Sequence, residues 1–255
     1  MIADLLYRTV DGWQGRLDIY HPEGVGPFPA LVYLHGGGWK MGSKAAAASH
    51  APFWCAMGLA VVAMDYRLTQ TAPAPAALED AAAALDWLRE GGAEHGIDAE
   101  RLLIGGHSAG ATLALALAYS GRGQIKGVVA WSAHADLASY HADRIAASDP
   151  VEWLAQSDDP DGWARALSPL HLVRTGLPPT ILIHSDRDPR VPYEAVSRLE
   201  AALRGAQVPV KLVTMRSDHH LPADHPAAEI ARAHGETRAF SRAFSLLDAG
   251  SNQAG

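Results

Sequence analysis

The sequence predicts an α/β fold, a mostly parallel eight-stranded sheet with helices on both faces and one short lid-like insertion at residues 134–167. Three observations predict it. Short apolar runs alternate with amphipathic or alanine-rich helical stretches along most of the chain. One run, Leu102-Leu103-Ile104-Gly105, leads through Gly106-His107-Ser108-Ala109-Gly110 into an alanine/leucine helix. Another ends in His35-Gly36-Gly37-Gly38-Trp39. In a parallel sheet, functional groups gather at the carboxyl ends of the strands, and both glycine motifs fall there.

The elements follow in order. Residues 5–9 and 16–20 read as strands joined through Asp11-Gly12, a hairpin signal, so the sheet starts antiparallel. A proline- and glycine-rich loop at 21–29 precedes a third strand, 30–34, apolar enough to be buried on both faces. Residues 45–57 are expected to be helical, and 59–64 form a strand that closes with Asp65-Tyr66-Arg67-Leu68. After a proline-broken loop at 71–75, an alanine-rich helix spans 76–89 and is stopped by Gly91-Gly92. Residues 98–101 read as a polar turn before the central strand. A further strand covers 127–131. The insertion 134–167 shows no long period and carries seven acids against two arginines, with Trp153 and Trp163 among them. Regular alternation then resumes with strand 180–184, helix 193–203, strand 208–214 and helix 226–247, ahead of a frayed tail at 250–255. With no internal repeat and no low-complexity linker, residues 1–255 are expected to form one domain.

Composition narrows the function. Hydrophobic content of 48% with 19% charged residues describes a folded protein with a sizeable core. A net charge of −7 excludes non-specific nucleic-acid binding as the main task. The apolar runs are too short and too alanine-rich to span a bilayer, and residues 1–10 lack the pattern of a signal peptide. The one cysteine, Cys55, excludes an intrachain disulfide, suits a reducing compartment and reads as a small core residue. A cytoplasmic protein acting on a small molecule, with no membrane or nucleic-acid partner, is expected. Its oligomeric state is not legible.

The chemistry comes from a conjunction. The strand–turn–helix setting of Gly106-His107-Ser108-Ala109-Gly110 is that of a nucleophile elbow, in which small neighbours leave the serine Oγ exposed above the sheet edge. A serine hydroxyl becomes nucleophilic only when an imidazole takes its proton, and that imidazole needs a carboxylate to fix its tautomer. Asp186 and Asp188 follow the strand at 180–184, and His219 and His220 follow the strand at 208–214. The order Ser…Asp…His is thus available, with both acids and both histidines open as candidates. Gly37, Gly38 and Ala109 can present backbone N–H groups to an oxyanion. A zinc site at His219, His220 and His225 is disfavoured because no Cys or Glu-x-x-His pattern accompanies them. No cofactor is required.

These motifs together resemble the α/β-hydrolase fold. Within it they are similar to the carboxylesterases related to hormone-sensitive lipase and to the feruloyl-esterase-like and kynurenine-formamidase-like hydrolases. The resemblance implies Ser108 as nucleophile. It favours Asp188 over Asp186, because the family pattern His-Gly-x-x-Asp-x-x-Val-Pro falls on residues 184–192, and His219 over His220, from Asp218-His219-His220. Departures exist: His107 stands where the lipase branch has Asp, and the proline that usually follows Tyr-Arg-Leu is displaced to Pro73 and Pro75. No counterpart of the N-terminal cap helices of the larger lipases is expected within these residues, so 134–167 is the expected lid material, which implies an open pocket for small acyl groups. The implied activity is hydrolysis of small carboxylic esters through an acyl-enzyme. N-formylkynurenine-type amide hydrolysis is the alternative, and a non-catalytic small-molecule-binding protein, as in the gibberellin receptors, is the third reading.

Overall fold

The structure is a computed structural model that describes residues 1–122, 124–217, 226–244 and 246. Eight strands form one sheet: β1 (Ile2–Val10), β2 (Trp13–Tyr20), β3 (Phe28–Leu34), β4 (Ala60–Met64), β5 (Ile97–His107), β6 (Gly127–Trp131), β7 (Thr180–Ser185) and β8 (Val210–Met215). Their order is β1-β2-β4-β3-β5-β6-β7-β8. The pairs β1–β2 and β2–β4 are antiparallel, and every later pair is parallel. The predicted hairpin forms through Asp11 and Gly12, whose φ values of 48° and 81° are both positive, as a two-residue turn between twisted strands requires.

Helices cover both faces. On one lie α2 (Ala76–Gly91), α3 (Ala109–Tyr119) and α7 (Tyr193–Gly205); on the other lie α1 (Ala51–Cys55) and α8 (Ala227–Ala243). The period of two sorts side chains between them. Val32 and Leu34 of β3 and Leu102 and Ile104 of β5 join the first core. Leu31, Tyr33 and Leu103 join the second. Every residue of α3 is buried, which explains why its sequence is apolar all round rather than amphipathic.

Three expectations are corrected. The helix expected over 45–57 divides into a 3-10 turn, Lys44–Ser49, and α1, because Pro52 suits only the first turn of a helix and so starts a new one. Residues 98–101 belong to β5, which begins at Ile97, where a buried isoleucine pairs with Phe28 at the start of β3. Cys55 is half-buried at the end of α1, with its thiol near the Tyr20 carbonyl, and packs against the edge of the second core rather than inside it.

The insertion 134–167 holds three short helices, α4 (Leu137–Ala146), α5 (Glu152–Ala155) and α6 (Pro160–Ala166). Asp136 caps α4 by accepting the Ser139 N–H, and Asp159 caps α6 by accepting that of Gly162. No helix among the described residues is long and apolar enough to cross a membrane.

Candidate active site

The site is built at the carboxyl edge of the sheet, beginning with Ser108 between β5 and α3. Its backbone sits at φ 52°, ψ −120°, a strained conformation for a residue with a side chain. The surroundings enforce it. The Ser108 N–H donates to the Trp131 carbonyl at the end of β6 (2.8 Å), and its own carbonyl accepts from the Thr112 N–H one turn into α3 (3.0 Å). A Cβ on Gly106 or Gly110 would collide with the Leu34 carbonyl oxygen at the end of β3. The two glycines of the elbow are therefore demanded by the close approach of β3.

The chain leaving β3 is the triglycine loop. Gly37 and Gly38 have φ values of 130° and 61°, and the Gly37 carbonyl accepts from the N–H groups of Lys40 (3.2 Å) and Met41 (3.1 Å), closing a turn. Two aromatic residues fix its entry. The His35 imidazole folds back so that Nδ1–H donates to the Gly36 carbonyl at 2.7 Å. Tyr66, stacked on that imidazole at 4.2 Å between ring centres, donates its hydroxyl to the His35 carbonyl at 2.8 Å. Burial pushes the Tyr66 phenol well above its usual range and lowers the His35 imidazole below its usual range. Ala109 is the first residue of α3, where the N–H finds no partner within the helix.

Tyr66 is itself anchored by its neighbour. The Arg67 Nε lies 2.9 Å from the Asp80 carboxylate, which also receives the Arg67 N–H at 2.8 Å and Arg8 Nη1 at 2.7 Å. Asp80 is a fully buried carboxylate on the apolar stripe of α2. In the sequence it stands only as the second of two adjacent acids, Glu79-Asp80, ahead of an alanine run, with nothing to set it apart from a solvated helix face.

The two candidate acids part company after β7. Asp186 is exposed, while the Asp188 side chain is fully buried. Asp188 Oδ1 accepts the N–H groups of Arg190 (2.8 Å) and Val191 (3.0 Å). The loop is closed by His184, whose Nε2–H donates to the Val191 carbonyl at 2.9 Å and lies 3.6 Å from Asp188 Oδ2. An inward, pre-oriented carboxylate is what a histidine partner requires; Asp186 offers none. His219 and His220 lie outside the described residues, as does His225. Among the described residues no group of three or more His, Cys, Asp or Glu is placed to hold a metal ion.

The insertion reaches the site through aromatic contacts. Trp39, directly after the glycines, stacks on Trp153 of α5 with ring centres 5.1 Å apart and planes within 4°. It also meets His134, which in turn packs on Tyr140 of α4. The Thr112 hydroxyl accepts the His134 N–H at 2.9 Å, tying this loop to the first turn of α3.

A strand order with an elbow serine after β5, a glycine loop after β3 and an inward acid after β7 defines an α/β-hydrolase. Among solved structures, the chain is similar in fold to the propionate-bound thermophilic esterase Est2 of Thermogutta terrifontis. It superposes with a TM-score of 0.82 over 98% of this chain and 97% of that one, at 23% identity. The chain belongs to the BD-FAE family, whose model matches residues 17–203. Carboxylesterase NlhH of Mycobacterium tuberculosis is 40% identical over 124 residues, 45% of this chain and 38% of that protein. Esterase LipQ of the same species is 26% identical over 231 residues, 82% of this chain and 54% of its own. The chain thus spans between about two fifths and about half of the length of these curated relatives.

Proposed function

We propose that the protein is a serine carboxylesterase for small esters, with Ser108, Asp188 and His219 as its triad. The observation that carries this reading is the forced backbone of Ser108, held between the β6 carbonyl, the β3 edge and α3. In the proposed reaction the Ser108 Oγ attacks the ester carbonyl carbon while the His219 imidazole takes its proton. Charge developing on the carbonyl oxygen is received by the N–H groups of Gly37, Gly38 and Ala109; losing one such donor costs about 3 kcal/mol in the transition state. Collapse breaks the ester C–O bond, and the imidazolium protonates the departing alcohol. Water, deprotonated by the same imidazole, then releases the acid. Asp188 holds the imidazole in one tautomer throughout. The esterase names of NlhH, LipQ and Est2 support the substrate class. The insertion acts as a lid whose Trp153 stacks on Trp39 directly after the triglycine loop, and the substrates proposed for it carry short acyl groups.

The experiment is hydrolysis of p-nitrophenyl esters from two to twelve carbons, with N-formylkynurenine alongside and Ser108→Ala as control. Turnover greatest on short esters and absent from the variant is expected. Faster turnover of the formamide would move the assignment to amide hydrolysis. An absence of serine-dependent turnover on every substrate would favour the binding-protein reading.

A further inference from the structure

His107, the residue before Ser108, ends β5 on the side of the sheet that faces α1 and α8. Its imidazole is buried and lies against Gly36 of the triglycine loop. A Cβ built on Gly36 would come within 2.6 Å of His107 Nδ1 and 3.1 Å of the His107 carbonyl oxygen. On its other side the ring borders a cavity of about 30 Å³, lined also by Tyr33, His50, Trp131 and His234. That volume holds about one water molecule. The ring therefore separates an incompletely filled space from the loop above it. His35 and Tyr66 tie the loop laterally through the Gly36 and His35 carbonyls; what meets Gly36 from beneath is the His107 ring.

We infer that His107 is a positioning residue, whose imidazole sets the height of Gly36 over the sheet and thereby the aim of the Gly37 and Gly38 amides. The inference rests on the esterase reading above, in which those amides receive the oxyanion. Hydrogen bonds to a developing charge act only when preorganised, and a displacement of about 1 Å can cost about 100-fold in rate. Emptying the space under Gly36 lets the loop sink toward the cavity. The damage falls on the transition state and spares ground-state binding.

The test is a double-mutant cycle of His107→Ala and Gly36→Ala, read as kcat and KM on p-nitrophenyl acetate and as the rate of Ser108 phosphonylation by a fluorophosphonate. His107→Ala is expected to lower kcat by about 10- to 100-fold, with KM changed less than about threefold and phosphonylation slowed in parallel. Gly36→Ala alone drives its methyl against the ring and lowers kcat as well. In the double variant the methyl enters the vacated space, so kcat exceeds that of Gly36→Ala alone, with the 3.1 Å carbonyl contact keeping the rescue incomplete. Should His107→Ala fail to fold, His107→Gln, which refills part of the volume, is read in the same cycle. A folded His107 variant with kcat within threefold of the parent overturns the inference, as does a double variant no faster than the product of the single effects. Those outcomes leave the esterase reading intact; a parent protein that neither turns over esters nor labels overturns both.

Discussion

Asp80→Ala is expected to destabilise the protein by about 3–5 kcal/mol, the range for removing one partner from a buried ion pair. The Asp80 side chain is fully buried, and Arg67, its main partner, is only 9% exposed. Arg8 is 24% exposed and can turn to water when its partner disappears. Arg67 cannot, because its Nη2 is already committed to the Ala76 carbonyl and to Glu79. The cost thus concentrates on one guanidinium and one backbone N–H stripped of their acceptor. For a domain of this size each kcal/mol is worth about 2–4 °C, so the melting midpoint should fall by about 6–20 °C. Asp80→Asn keeps an acceptor and loses the charge, and about 1–3 kcal/mol is expected. Thermal and urea unfolding followed by far-UV circular dichroism measure both. The Arg67→Ala/Asp80→Ala pair should cost at least about 1 kcal/mol less than the sum of the single changes. A loss below about 1 kcal/mol for Asp80→Ala, or strict additivity in the pair, would refute the reasoning.

Other consequences can be checked with the same preparations. Tyr66→Phe removes the hydroxyl that holds the His35 carbonyl, so stability should fall by about 1–2 kcal/mol, with a larger fractional loss in kcat than in KM by steady-state kinetics. Trp153→Ala should cost about 3–5 kcal/mol and move the preferred p-nitrophenyl ester toward longer chains. Trp153→Phe should cost much less, since the indole N–H has no hydrogen-bond partner among the described residues. His234 is lowered from 6.5 to about 4 by burial first, and then by Arg238 and His50. Because the unfolded chain takes up that proton first, stability should be full above pH 6.5 and decline as pH falls toward 4. The ring is half-exposed, so this contribution is held to about 1 kcal/mol. Unfolding of His234→Gln compared with the parent at pH 7 and pH 4.5 should show a shallower decline, and equal slopes would exclude His234 as its source.

Much of the frame was legible because local chemistry and burial agree there. The strand Gly127–Trp131 is apolar at every position and its bounds match the sequence reading, since both faces of the central sheet are covered. The elbow was legible for a stronger reason: Gly106 and Gly110 are required by backbone atoms of β3, and so the pattern admits little else. The sequence separates Asp188 from Asp186 only through a resemblance; the physical difference between them, an inward carboxylate that accepts two backbone N–H groups, depends on the folded loop. What escaped the sequence depends on contacts between distant segments. The helix α4 shows no long apolar period because only Leu137 and His141 are buried within it. The pair Trp39 and Trp153 are far apart in sequence and meet only in the fold. Asp80 looks like a helix-surface acid until Arg67 and Arg8 converge on it. Cys55 sat in an apolar run, yet α1 is so short that its last turn stays half-open to solvent.

In the proposed reaction Ser108 is the group that takes the acyl chain. The most direct measurement is intact-mass and peptide mapping after treatment with a fluorophosphonate, with residual esterase activity followed in the same samples. A single adduct is expected, on the peptide containing Ser108, growing in proportion to the loss of activity and absent from Ser108→Ala. Full activity in the labelled protein, an adduct on another residue, or no adduct at all would contradict it.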